Sequence, residues 1–394
     1  MENNKINSNP WLGLKTYDEG QHLYGREDDI HALSQNILFN IQTVIYGKSG
    51  IGKSSILNAG IFPILRKSNF FPCYIRLVHN QPNKSYNQQI WDSVLNSLLH
   101  LKKEKLTADG TKEILSDIEG RYEELAPARD NESLWEIFHR HKFYDESNNV
   151  IQPVLVFDQF EEIFTREKDQ EKVTSFFEEL ADLINNVVPE TLCTISDVNI
   201  TKSAAVDSDD DVDDLLDEGY EAAFADYLTE SNFHIVLSLR EDYLSYLERN
   251  IDNIPSLKHN RYCLKPLSEE QAASVIMHPC PGLISETVAK EIISKVTGSP
   301  VSEFELGDGA ELEVDSAILS LFLHELYKKK PVDAKVIDYS IVNEFGDNII
   351  QNFYEETISH ISEDCAEYLE RNLITEAGKR DSVYESHVIN HKGY

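Results

Sequence analysis

Apolar residues recur along this chain in two alternating rhythms. Short continuous runs at Thr43-Val44-Ile45-Tyr46, Phe71 to Leu77, Pro153 to Phe157 and Phe233 to Leu239 predict strands buried on both faces. Between them, apolar positions fall three and four residues apart. That spacing predicts helices from about Ile30 to Phe39, from Ser54 to Leu65, from Tyr86 to Leu101 and from about Asp169 to Asn186. Arg261 to Leu267 predicts a short last strand, and Ser268-Glu269-Glu270-Gln271 is a capping box that starts a helix, stopped by Pro279-Cys280-Pro281-Gly282. Beyond it the chain reads as helices at about 285–297, 315–329, 338–360 (broken near Gly346) and 362–372. A β-hairpin turning at Gly378 follows, and helices followed by a hairpin suggest a winged-helix module. Residues 102–149 are charged and of helical character, without a chemical signature, and no internal repeat is present.

The chemistry sits where strands end. Gly47-Lys48-Ser49-Gly50-Ile51-Gly52-Lys53-Ser54-Ser55 follows the first strand and opens a helix, the context that a G-x-x-x-x-G-K-S phosphate loop requires. Gly47, Gly50 and Gly52 let successive N–H groups converge on an anion. Lys53 would reach the β- and γ-phosphates, and the Ser54 hydroxyl would sit on Mg²⁺. The run Val154-Leu155-Val156-Phe157 ends on Asp158, a second Mg²⁺ candidate, and Glu161 and Glu162 follow as candidates to orient or deprotonate water. Arg240 ends the strand at 233–239 and is the candidate to sense the γ-phosphate. An N-K-x-D guanine-reading segment is absent, so ATP and ADP are the expected nucleotides.

Four parallel strands with helical crossovers, a phosphate loop on the first and an acid ending the third describe an α/β fold, a P-loop parallel sheet sandwiched by helices. The reading divides the chain into a tail and opening segment (1–24), a P-loop NTPase domain (25–265), a helical domain (266–345) and a winged-helix-like domain (346–394). An acidic insertion at about 196–230 interrupts the second of these and reads as a solvated segment.

The chain of 394 residues carries a formal charge of −33, which disfavours nucleic acid or anionic membrane as partners through any general basic field. Five scattered cysteines, Cys73, Cys193, Cys263, Cys280 and Cys365, form no C-x-x-C pair and read as reduced thiols of a cytoplasmic protein without structural zinc. The polar start is no signal peptide, and no run reaches the ~20 apolar residues that span a bilayer.

Four stretches together resemble the novel STAND group of signal-transduction P-loop ATPases, which are related to the NACHT proteins. They are Gly13 to Asp28 with Gly25-Arg26, Tyr46 to Leu65, Pro153 to Phe164 with the D-x-x-[DE]-E spacing of Asp158, Glu161 and Glu162, and Ile235 to Glu248. The resemblance implies that Gly25 and Arg26 lie near the nucleotide. It implies a switch that is closed with ADP at rest, and ATP-bound and self-associating when a trigger is sensed, often in bacterial anti-phage defence. Two departures stand out. Ser316 occupies the position where many relatives carry a proline lining adenine, and the effector domain and repeat-built sensor of relatives are absent. The chain then reads as an excised core or as a subunit whose effector or sensor is supplied by other proteins. The competing readings are an adaptor that holds nucleotide without significant hydrolysis, and a DNA-associated ATPase of the AAA+ kind.

Overall fold

The apolar runs form strands because each buries both faces, and the amphipathic stretches form helices around them. The structure, a computed structural model, describes residues 9–79, 84–102, 105–106, 112–113, 132–145, 149–189, 233–300 and 312–373. Six strands make the main sheet: β1 (Gln42–Gly47), β2 (Phe70–Ile75), β3 (Phe143–Tyr144), β4 (Val150–Phe157), β5 (His234–Arg240) and β6 (Arg261–Cys263). Their order is β2-β4-β5-β1-β6, with β3 added antiparallel to the start of β4. The register is parallel between β2 and β4, β4 and β5, and β1 and β6. This is the expected parallel α/β sheet, with the short last strand as the fifth parallel member.

The helices, in chain order, are α1 (Glu27–Phe39), α2 (Lys53–Ser55, a π-helical turn Ile56–Ile61, then Phe62–Lys67), α3 (Tyr86–Lys102) and α4 (Leu134–Arg140). Then come α5 (Glu162–Thr165), α6 (Gln170–Asn185), α7 (Leu244–Glu248), α8 (Glu269–Met277) and α9 (Glu286–Thr297). The last are α10 (Ser316–Lys329), α11 (Tyr339–Phe345), α12 (Ile349–Ile358) and α13 (Glu363–Leu373). The expected break near Gly346 is a 3₁₀ turn, Gly346–Asn348.

Two compact units emerge. The first holds the described parts of Met1–Ala32, Gly47–Ile61 and Leu264–Tyr394; the second holds those of Leu33–Tyr46 and Phe62–Cys263. The second unit's core is the sheet, with Phe71, Leu155, Phe157, Ile235 and Leu237 buried together with Trp91, Phe138, Phe176 and Leu180 from the helices. The first unit's core is helical. Trp11 is buried there among Ile276, Ile292, Leu319, Phe322 and Leu326, and its indole N–H donates to the Val275 carbonyl at 2.9 Å.

Two differences from the sequence reading stand out. The last strand stops at Cys263 rather than Leu267, because Pro266 has no N–H for a ladder; Leu267 instead makes a single antiparallel bridge with Val314. The stretch 102–149, read as helical, contains α4 but also the strand β3 and a two-stranded antiparallel pair, Lys105–Leu106 with Lys112–Glu113, and α4 begins with a Ser133–Glu136 capping box whose letters were visible. Residues 1–8 of the tail, the acidic insertion, residues 303–311 and the C-terminal hairpin with its winged-helix reading lie outside the described residues.

Candidate functional site

The phosphate loop belongs to the first unit. β1 delivers the chain to Gly47, where a Cβ would stand 2.5 Å from the Leu264 carbonyl oxygen, so only glycine lets the loop leave the strand there. Gly50 and Gly52 have φ of 80° and 97°, the left-handed turns by which the loop doubles back before α2. The Lys53 ammonium reaches over the loop to the carbonyls of Gly47 and Lys48, both at 3.0 Å.

The loop is tied outward at several points of the same unit. Arg26, 5% exposed, donates to the Ile51 carbonyl at 3.2 Å, to the Lys265 carbonyl at 2.9 Å and to Asp29 at 2.9 Å. Its guanidinium therefore braces the loop's main chain. Gly25 before it has φ 72°, and a Cβ there would meet the Gln271 carbonyl of α8 at 2.4 Å. The Tyr17 N–H donates to Ser55 Oγ at 3.2 Å. From α10, the Ser316 hydroxyl donates to the Gly50 carbonyl at 3.4 Å, and Glu313 just before the helix pairs with Lys48 at 3.4 Å. Ser49 and Ser54 are both half-buried in the loop.

The acids belong to the second unit. Asp158, 3% exposed at the end of β4, accepts a side-chain hydroxyl on each oxygen. The Tyr74 hydroxyl of β2 donates to Oδ2 and the Ser238 hydroxyl of β5 to Oδ1, both at 2.8 Å. Both donors are neutral, so they orient the carboxylate without cancelling its charge. Burial first, and then the Asp158 charge, push the Tyr74 phenol well above its usual range, so it stays a donor. After Asp158 the chain turns through Gln159 at φ 54°, a left-handed conformation uncommon for a residue with a side chain. The Asp158 N–H on the Ile75 carbonyl (3.0 Å) and the Phe160 N–H on the Ser238 carbonyl (2.8 Å) pin that turn on both sides.

The turn separates the two glutamates chemically. Glu162 is buried and ion-paired to Arg76 at 2.8 Å and Arg166 at 3.0 Å. Glu161 accepts the main-chain N–H of Arg240 at 3.3 Å. The Arg240 guanidinium pairs with Asp242 at 2.6 Å and lies 5.6 Å from the Tyr243 ring centre. Asp158, Glu161, Glu162 and Arg240 thus gather in one unit, and Gly25, Arg26 and the Gly47–Ser55 loop in the other. The sequence reading passed over Tyr74, Arg76 and Ser238. Ser238 left a signal, as the one polar residue inside the apolar run Ile235 to Leu239. Tyr74 and Arg76 share a strand face by the period of two, but nothing in their own run points to the acids.

Among the described residues, no helix is long and apolar enough to cross a membrane. Three solved structures are distant likenesses. The Aeropyrum pernix ORC1 protein in complex with DNA is 10% identical, with a TM-score of 0.43 over 92% of this chain and 75% of that one. Cdc6p from Pyrobaculum aerophilum is 14% identical, with a TM-score of 0.38 over 80% and 63%. The Walker-type ATPase paby2304 of Pyrococcus abyssi is 12% identical, with a TM-score of 0.38 over 91% and 81%. No curated protein matches. The family model of Novel STAND NTPase 1 matches residues 10–374, spanning the loop, the acids and the helices after them, so the chain belongs to the novel STAND NTPase 1 family of nucleotide-binding P-loop NTPases.

Proposed function

We propose that this chain is a regulatory ATPase that binds ATP with Mg²⁺, hydrolyses it slowly, and converts the bound nucleotide into a change of conformation and self-association. The observation that carries the switch reading is the outward bonding of the phosphate loop. Within the phosphate loop, the Ile51 carbonyl is held by Arg26 and the Gly50 carbonyl by Ser316 of α10. A change in loop geometry on phosphate binding would therefore strain bonds to the opening segment and the helical bundle of the first unit.

The residues suit the nucleotide and its ion. Gly47, Gly50 and Gly52 form a cradle that side chains would fill or strain, and Lys53 supplies a cation within it. Mg²⁺ is usually held by one or two carboxylates together with substrate phosphates. Asp158 in the second unit and Ser54 in the first are each an oxygen donor of the kind such a site uses. Bound Mg²⁺ would neutralise charge on the phosphates. Glu161 would hold and deprotonate water, Arg240 would answer the γ-phosphate, and Tyr74 and Ser238 would fix Asp158. Partner chains supplying an effector or sensor, and a role in anti-phage defence, belong to the same proposal by family likeness.

Lys53→Ala should lower ATP affinity about 10–100-fold, the weight of one charge-assisted hydrogen bond, as read by calorimetric titration. Particle mass measured with ADP, ATP and a non-hydrolysable analogue, in the presence of the trigger, should rise with the triphosphates. A single mass in all three states would refute the switch. A second reading, an adaptor that holds nucleotide without hydrolysis, is favoured by the commitment of Glu162 to two arginines. Glu161→Gln decides between them: hydrolysis requires that it abolish phosphate release while nucleotide stays bound.

A further inference from the structure

A line of hydrogen bonds in the second unit ends at His79, beside a cavity that the acid turn also lines, and has no part in the site as described so far. Glu167, between α5 and α6, is buried with its side chain 3% exposed. Its Oε1 accepts the N–H groups of Lys168 and Asp169 at 3.0 and 3.2 Å, and its Oε2 accepts the Tyr86 hydroxyl at 2.7 Å. The Tyr86 hydroxyl oxygen in turn lies 2.8 Å from Nδ1 of His79. A hydroxyl has one proton to give, and an ionised carboxylate can only accept. Tyr86 therefore donates to Glu167 and accepts from His79, which fixes the His79 hydrogen on Nδ1. In the neutral ring, Nε2 is then a lone-pair acceptor.

Two further contacts hold the far end of this line. Lys172 lies 3.4 Å from Glu167 Oε2 and 4.4 Å from the centre of the Tyr86 ring. Burial is the first cause that pushes His79 below the ordinary histidine range; Arg166 and Lys172 add to it, and Glu162 and Glu167 oppose it. His79 also lines a small cavity of about 10 Å³. Asp158, Gln159 and Phe160, the left-handed turn itself, line the same cavity. A space of this size takes one water molecule, and such a water needs polar partners on its walls.

We propose that His79 is a positioning residue for the hydrolytic site: held by Tyr86 and Glu167, it presents Nε2 to a single water that bridges it to the Asp158–Gln159 turn. The inference rests on the hydrolysis reading for its effect on rate, but not for its geometry. The turn sets where Asp158 and Glu161 stand, and its left-handed residue costs roughly 1–2 kcal/mol that its surroundings must offset. The water and the fixed imidazole are part of that support.

The test compares the full chain with His79→Ala, His79→Gln and Tyr86→Phe. Expected results are a loss of about 10-fold in kcat for His79→Ala with unchanged nucleotide affinity and a melting temperature lower by only a few degrees, substantial recovery of both in His79→Gln, and an intermediate loss of kcat in Tyr86→Phe. Nitrogen-15 NMR of histidine-labelled protein should show the Nδ1–H tautomer in the parent and lose it in Tyr86→Phe. His79→Ala should move the Gln159 amide resonance. An Nε2–H tautomer in the parent, an unmoved Gln159 resonance, or rate and stability falling together without rescue by glutamine would each overturn the proposal. Should the parent release no phosphate, the hydrolysis reading alone fails, and the two NMR results decide the role of His79.

Discussion

Ser238 and Tyr74 make the same bond to the same carboxylate, yet removing them should have different costs. Ser238 is fully buried on β5 and Asp158 is 3% exposed, so water has little access to replace the missing donor. Hydrogen bonds to charged groups are worth about 1.5–3 kcal/mol, and Ser238→Ala should lose that much. Tyr74 is 41% exposed, so water can take the place of its hydroxyl, and Tyr74→Phe should lose about 0.5–1 kcal/mol. For a unit of roughly 200 residues, each 1 kcal/mol moves the melting temperature about 2–4 °C. The expected shifts are then about 3–12 °C for Ser238→Ala and about 1–4 °C for Tyr74→Phe. Scanning calorimetry of both variants and of the double variant provides the measurement. The double should depart from additivity by about 0.5 kcal/mol or more, because both hydroxyls act on one group. Equal shifts for the two single variants, or an unmoved Ser238→Ala, would show that burial does not set the strength of this clamp.

Three further outcomes follow from burial and close approach. His79, His139 and His234 are all pushed below the ordinary histidine range, chiefly by burial, so the unfolded chain binds their protons more readily than the folded one. The stability gained by keeping them neutral is full above about pH 6.5 and is lost as the pH falls below it; melting temperatures in that window should drop, and less so in His139→Gln. Gly47→Ala places a Cβ 2.5 Å from the Leu264 carbonyl and should cost about 1–3 kcal/mol together with nucleotide affinity, as calorimetry and titration would read. Burial pushes the Cys73 thiol up to about 12, so a thiol reagent at pH 8 should leave Cys73 unlabelled in the native protein and label it in urea.

Much of this was legible in the chain because it is local. Continuous apolar runs gave the strands, spacing of three and four gave the helices, and the phosphate loop announced itself by letters that lie side by side. What stayed hidden depends on strand order. β5 lies between β4 and β1 in the sheet, which brings Ser238 to Asp158 across 80 positions, and β2 beside β4 brings Tyr74 across 84. Neither neighbourhood has a periodicity of its own. The role of Arg26 was hidden for a related reason. Its partners are main-chain carbonyls of Ile51 and Lys265, and a carbonyl leaves no mark on residue identity. Glu162 pairs with two arginines and Glu161 accepts the Arg240 N–H after a turn through Gln159 at φ 54°, a backbone choice that glutamine does not advertise.

The departure at Ser316 can be weighed in the same terms. Ser316 is the first residue of α10, and Asp315 caps the helix by accepting the N–H groups of Ala317 and Ile318. The first helical position is where proline fits best, since its missing N–H has no intrahelical partner there. Asp315 already has φ −69° and ψ 119°, the extended geometry that a residue before proline prefers. Ser316→Pro should therefore gain about 0.4–1 kcal/mol by stiffening the unfolded chain. Against this stands the Ser316 hydroxyl on the Gly50 carbonyl, which at 3.4 Å is long and exposed, worth about 0.5 kcal/mol or less. The variant should melt at or slightly above the parent temperature. Its nucleotide affinity reports on something separate, namely whether the tie to Gly50 shapes the loop. If affinity moves while stability does not, α10 acts on the phosphate loop through that one hydroxyl. If stability instead falls by more than about 1 kcal/mol, serine is required for the helix start and the reasoning from cap geometry fails.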